Sequence, residues 1–92
     1  MPQQKQITKT HELTRRHAAQ HPIVLEAKEK LKARLHAEIM AQYGSVRAFA
    51  DEHDISETRV RWWLRYTGPT LESVILMAHC LKIPLSNIFR SI

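Results

Sequence analysis

Between Ser45 and Tyr66 the chain reads SVRAFADEHDISETRVRWWLRY, and the spacing of its apolar residues constrains the fold more than any other stretch. Val46, Phe49 and Ala50 recur at the three-and-four spacing of one helix face, behind a serine able to cap the first turn. Asp54 and Ile55 mark a tight turn, and Ser56 supplies a second cap. From there Val60, Trp63 and Leu64 share one side of a further helix, with Glu57, Thr58, Arg61, Trp62 and Arg65 on the other. The pattern is two short helices joined by a turn, and the flanking sequence reads as their support.

Upstream, Met1 to Ile7 is polar and rich in Gln, and is expected to be disordered or loosely attached. Thr8 or Thr10 could cap a short helix running to Gln20, with Leu13, His17 and Ala18 as a weak apolar stripe. Pro22 ends any continuation and suits the first residue of a new helix. That helix is expected from Ile23 to about Tyr43, with Val24, Ala27, Leu31, Leu35, Ile39 and Tyr43 as its apolar line and Gly44 at its C-terminal end. Some twenty residues at 1.5 Å each span roughly 30 Å, so the first two turns, with Ile23, Val24 and Leu25, are expected to project beyond the core. Downstream, Thr67-Gly68-Pro69 reads as a loop and Thr70 as the cap of a helix from Leu71 to Leu81, with Leu71, Val74, Ile75, Ala78 and Leu81 facing inward. Ile83-Pro84 ends it, and Ser86 is expected to cap a last short helix.

Ninety-two residues suit one domain with a single modest core. The division expected is a basic extension, flexible or partly helical, over residues 1–22, followed by a helical domain over 23–92. A formal net charge of +5 favours an anionic partner. The excess is uneven: eight Lys and Arg face four Asp and Glu up to Tyr43, against six and five beyond it. The paired short helices must therefore rely on the placement of charge more than on its amount. The single cysteine, Cys80, excludes an intrachain disulfide and a secreted disulfide scaffold. With no long apolar run and a polar start, a cytoplasmic protein with no membrane partner is expected.

The segment from about Leu31 to Phe89 resembles the Cro-like, XRE-type helix-turn-helix domains of phage repressors, prokaryotic regulators and antitoxins. The residues that carry the resemblance are Phe49-Ala50 in the second helix, Ile55-Ser56 at the turn, and Val60 and Trp63 in the third helix. Pro69-Thr70-Leu71-Glu72 then opens the fourth, and Ala78, Leu81, Ile83 and the Leu85-Ser86-Asn87-Ile88-Phe89 ending complete the match. The resemblance implies an all-α, five-helix, lambda-repressor-like fold, here with a long first helix and a basic N-terminal extension. Two positions depart from the family pattern. Val46 stands where members usually carry a Gln that touches the DNA backbone, and Asp54 stands where the turn usually has Gly. Asp tolerates left-handed backbone better than most residues, so the turn is expected to persist with slight strain.

The resemblance also implies that the helix from Glu57 to Tyr66 enters the major groove of double-stranded DNA, its N-terminal residues at the base edges. Glu57, Thr58 and Trp62 fall at the family's base-contacting positions. Arg59 and Arg61 are the side chains best suited to read guanine or grip phosphate, and Arg65 suits a phosphate. Glu57 could accept from a cytosine amino group or simply favour the helix start through its dipole. Trp63 is expected in the core, while Trp62 could stack on sugar and thymine methyl groups or cover the core's edge. Ser45, Arg47, Ser56, Thr67 and the Gly68 backbone are the further candidates for phosphate contact. The basic residues Lys5, Lys9, Arg15 and Arg16 suit an arm that follows the backbone or enters a minor groove.

Enzyme chemistry finds no support, and no metal or cofactor is expected. His17 and His21 are four apart but straddle the approach to Pro22, while His36, His53 and His79 stand isolated in sequence. Cys80 has no acid-base partners that would activate it. The reading is a sequence-specific transcriptional regulator, a dimeric repressor on an inverted repeat, residing at the nucleoid when bound to DNA. Its expected dimer interface is Leu85, Ile88, Phe89 and Ile92, with Ile23, Val24 and Leu25 as the competing patch. The alternative is an antitoxin that wraps a partner protein, a toxin or a phage or host factor, with its N-terminal extension and binds DNA to regulate its own operon.

Overall fold

The computed structural model describes residues 21–65 and 69–92. Among them it forms five helices and no strand: α1 (Pro22–Tyr43), α2 (Val46–Glu52), α3 (Glu57–Arg65), α4 (Leu71–Leu81) and α5 (Leu85–Phe89). The expected helix before Gln20, the basic arm, and the positions Tyr66, Thr67 and Gly68 lie outside the described residues.

Helix α1 starts at Pro22, with His21 as its N-cap accepting from the Ile23 amide through Nδ1 at 3.2 Å. Only Leu31, Leu35 and Ile39 of its apolar line are buried, one per turn. Ile23 is 70 % and Leu25 49 % exposed, so the first turns stand clear of the core as the length argument requires. From Leu31 onward α1 is the central strut, packed against each of the other four helices.

The helix ends are set by three residues in left-handed backbone. Gly44 closes α1 at φ 81°, its amide donating to Met40 O at 3.0 Å; Ser45 then caps α2 by accepting from the Ala48 amide at 3.0 Å. At the end of α2, Asp54 has φ 54°, its amide donates to Asp51 O and the Ile55 amide to Ala50 O, the two bonds of a Schellman motif. Ile55 packs against the core as that motif favours. Lys82 closes α4 in the same way at φ 59°, with bonds from its own amide to His79 O and from Ile83 to Ala78 O. Glycine takes this conformation without the Cβ clash that other residues suffer. Lys82→Gly is therefore expected to raise stability by about 0.5–1 kcal/mol, with a smaller gain for Asp54→Gly because Asp already tolerates the region. Urea midpoints of the two variants check the order; a loss for Lys82→Gly would mean that its backbone is not strained.

The core is one cluster. Leu35, Ile39, Phe49, Ala50, Val60, Met77 and Ile88 are wholly inaccessible, with Leu31, Val46, Val74, Ala78, Cys80 and Leu81 nearly so. Trp63, expected inside, is only partly buried and packs on the cluster's edge with Leu64 and Tyr43. Two of the inward positions expected on α4 are also corrected: Leu71 is 63 % and Ile75 46 % exposed, and the buried face is instead Ser73, Val74, Met77, Ala78, Cys80 and Leu81. The segment is apolar nearly all round, so its periodicity does not choose a face. Ser73 fits there because its Oγ donates to Thr70 O at 2.8 Å, while its amide donates to Thr70 Oγ1 at 3.2 Å. Ser86 does not cap α5: it lies inside the helix, and the Pro84 carbonyl accepts the first amides, from Asn87 and Ile88.

Long-range polar ties fix the two ends of the domain. Arg34 pairs with Glu38 at 3.1 Å and also donates to Asn87 Oδ1 and Ser91 Oγ, each at 2.8 Å, clamping α5 to α1. Gln42 Nε2 donates to Leu81 O at 3.0 Å, satisfying a terminal carbonyl of α4.

Candidate nucleic-acid interface

Helix α3 can present only one face, because Val60 is fully buried and Trp63 and Leu64 rest against the core. That leaves Thr58, Arg59, Arg61, Trp62 and Arg65 exposed, with Trp62 at 50 % and Glu57 half-buried at the first turn. Ser56 caps the helix through a long bond of 3.4 Å from the Arg59 amide to its Oγ. Behind α3, Ile55 packs on the core and α2 holds Val46, Phe49 and Ala50 inside, so the two helices share one core.

The exposed face has two sides. A shallow groove of about 340 Å³ is lined by Ser56, Thr58, Arg59, Trp62 and Trp63. On the other side a cleft of about 100 Å³ is lined by His36, Val46, Arg61, Leu64 and Arg65. Four of the five candidates for base contact are thus split between Thr58, Arg59 and Trp62 on one flank and Arg61 on the other, while Glu57 lines neither hollow. Glu57 bridges to Arg61, Oε1 to Nη2, at 3.0 Å. Both side chains are at least partly open to solvent and one helical turn apart, so the pair contributes only about 0.3–0.5 kcal/mol to the fold.

Among the phosphate candidates, Ser45 and Ser56 use their Oγ as acceptors for cap amides and retain the hydroxyl proton for donation. Arg47 is 78 % exposed and its closest carboxylate, on Asp51, stands 3.9 Å away, so its guanidinium is little constrained. Val46 faces the core and contributes no polar contact. Thr67 and Gly68 lie outside the described residues. From Val46 to Arg65 the chain carries four arginines and four carboxylates, so this surface holds no bulk positive charge and must act through placement.

Two histidines that look isolated in sequence are not isolated in space. His36, on α1, reaches the cleft beside Arg61 and Arg65, because the i, i+1 neighbour of the buried Leu35 points toward α2 and α3. His53 closes α2 with Nε2 2.6 Å from the Tyr43 hydroxyl, and with its ring 5.0 Å from that of Phe49. Sequence spacing carries no signal for either contact. Burial pushes the Cys80 thiol up, away from the reactive thiolate. Among the described residues no cluster of three or more His, Cys, Asp or Glu could hold a metal ion. No described helix is long and apolar enough to cross a membrane.

Fold and surface together define a small all-helical domain whose short third helix offers an arginine-bearing, tryptophan-bearing face. No protein-family model, no curated protein and no solved structure matches the chain.

Proposed function

We propose that this chain is a sequence-specific regulator of the helix-turn-helix type, binding double-stranded DNA with α3 in the major groove and acting as a dimeric repressor on an inverted repeat. The observation that carries this reading is the orientation of α3: buried Val60, with Trp63 and Leu64 against the core, fixes its inner face, and Thr58, Arg59, Arg61 and Trp62 are all left on the exposed side, to either flank of it. Direct readout of base edges needs such a row of donors near a helix N-terminus. The caps of α2 and α3, with Arg47, supply amides, hydroxyls and a guanidinium at the flanks, where phosphates run.

Selection of bound duplexes from a random-sequence pool, followed by titration on the selected site and on DNA upstream of the chain's own gene, tests the proposal. The expected affinity is roughly 10⁻⁸ M or tighter on the selected site, at least about a thousandfold above random DNA. Arg61→Ala is expected to cost about 1–3 kcal/mol on that site and to relax one base position. Arg47→Ala should weaken all sequences alike and reduce the salt slope by about 1. If the pool yields no enriched sequence, the proposal fails.

One observation favours the second reading, an antitoxin with a protein partner: Ile23 and Leu25 leave apolar surface exposed at the start of α1. Co-purification with the product of an adjacent reading frame, lost on Ile23→Asp, would support it.

A further inference from the structure

Arg61 differs from the other arginines of α3 in having a partner. Its Nη2 donates to Glu57 Oε1 at 3.0 Å, whereas Arg59 and Arg65 form no ion pair among the described residues. The acid lies one turn N-terminal to the base, the better orientation of an i, i+4 pair, and it sits on the first residue of α3. We infer that Glu57 is a positioning residue for sequence discrimination: it holds the Arg61 guanidinium for a guanine edge and keeps it off the flanking phosphates. This rests on the DNA-binding reading above.

The physical reason lies in what an unpartnered arginine does beside a duplex. Phosphates line both rims of the groove, attract any cation, and carry no sequence information. Arg47, highly exposed and barely held by Asp51, is free to join them. A carboxylate bonded to Arg61 cancels most of that attraction and is itself repelled by phosphate. It uses one donor of the five on the guanidinium, which leaves a two-donor edge to meet O6 and N7 of guanine. The remaining carboxylate oxygen can accept from the N4 amino group of a neighbouring cytosine. Because both side chains are partly exposed, at 39 % for Glu57 and 49 % for Arg61, the pair can shift its geometry on docking without a large desolvation cost. The selected half-site should accordingly hold a guanine and an adjacent cytosine beneath the first turns of α3.

The test uses the full chain carrying Glu57→Ala or Glu57→Gln, each alone and together with Arg61→Ala. Every protein is titrated over a salt series on the selected site, on its single-base variants and on a random duplex. Glu57→Ala should raise affinity for the random duplex about three- to tenfold and steepen the salt slope by about 0.9, one phosphate contact. Its preference for guanine at the Arg61 position should fall at least about tenfold, a full bidentate contact being worth that much or more. Glu57→Gln, which keeps an acceptor for Arg61 without the charge, should lie between. In the Arg61→Ala background, Glu57→Ala should leave the preference at that position unchanged. The inference is overturned if Glu57→Ala lowers thermal stability but leaves base preference intact, for then Glu57 serves only the helix start. It is also overturned if the same loss of preference persists without Arg61. A wild-type chain with no base preference at all would overturn the DNA-binding reading itself, a result distinguishable from either of these.

Discussion

Phe49→Ala is expected to cost about 3–5 kcal/mol and to leave much of the domain unfolded at room temperature. The ring is wholly inaccessible and sits edge-on to Tyr43 at 5.2 Å between centroids, with the His53 imidazole 5.0 Å away and itself 5.5 Å from the Tyr43 ring, so the three rings form one cluster. Removing it takes away the transfer free energy of a buried aromatic and leaves a cavity at the point where α2 meets α1. A domain of this size has a total stability near the low end of the usual 5–15 kcal/mol, so the loss is comparable to the whole. Function should disappear with the fold, since α3 takes its orientation from α2 and the turn between them. Thr58→Ala, on the exposed face of α3, is the control and should shift stability by no more than about 0.5 kcal/mol. Urea denaturation followed by circular dichroism reads both. A Phe49→Ala midpoint close to that of the parent chain would mean that α1 and α2 are held together by something other than this ring.

Local chemistry made most of the helix boundaries legible. Pro22, Gly44, Ser45 and Thr70 each have one conformational use at a helix end, and each is found there. Asp54 was legible as a turn residue because Asp is among the few that tolerate positive φ. Lys82 takes the same conformation with no signal in its side chain, since there the need comes from the chain reversing before Pro84. The face of α4 was not legible for a related reason: Leu71, Val74, Ile75, Leu76, Met77 and Leu81 surround the axis, and only contact with the other helices decides which are covered. Ser86 looked like a cap because caps are recognised by residue type, but the helix is capped two residues earlier, at Pro84, which places the serine inside it.

The outer face of α3 could be read from the sequence because Val60 fixes the phase of a short helix, and a phase once fixed assigns every other residue. Its subdivision could not. That Arg61 and Arg65 share a cleft with His36, while Arg59 sides with Trp62, depends on how α1 crosses behind α2 and α3, a contact between residues some 25 positions apart in sequence. Arg34 is the strongest case. Its bonds to Asn87 and Ser91 span 53 and 57 residues. In sequence it is one more basic residue of a charged helix.

Replacing Phe89 and Ile92 together with Asp is expected to convert the proposed dimer to a folded monomer and to weaken full-site DNA binding by about 10²- to 10⁴-fold, the avidity lost when two linked reading helices become one. Of the four residues expected at the interface, Ile88 belongs to the core of the single chain and is not available to a partner, while Leu85 packs against that core and is only partly exposed. Phe89 at 37 % and Ile92 at 50 % exposure are the most open residues of the patch. The substitutions should spare the fold, because α5 is held from its other side by Ile88 in the core and by the Arg34 bonds to Asn87 and Ser91. Two-fold pairing through this end would set two α3 helices about 34 Å apart, one turn of the duplex, and would require an operator with inverted half-sites at that spacing. The monomer should still bind a single half-site with the parent's base preference, since no residue of α3 is altered. Sedimentation velocity and titration on full and half-sites read the two effects separately. If the doubly substituted chain sediments as an undisturbed dimer, the interface is not at the C-terminal end, and the exposed Ile23 and Leu25 at the start of α1 become the surface to alter next.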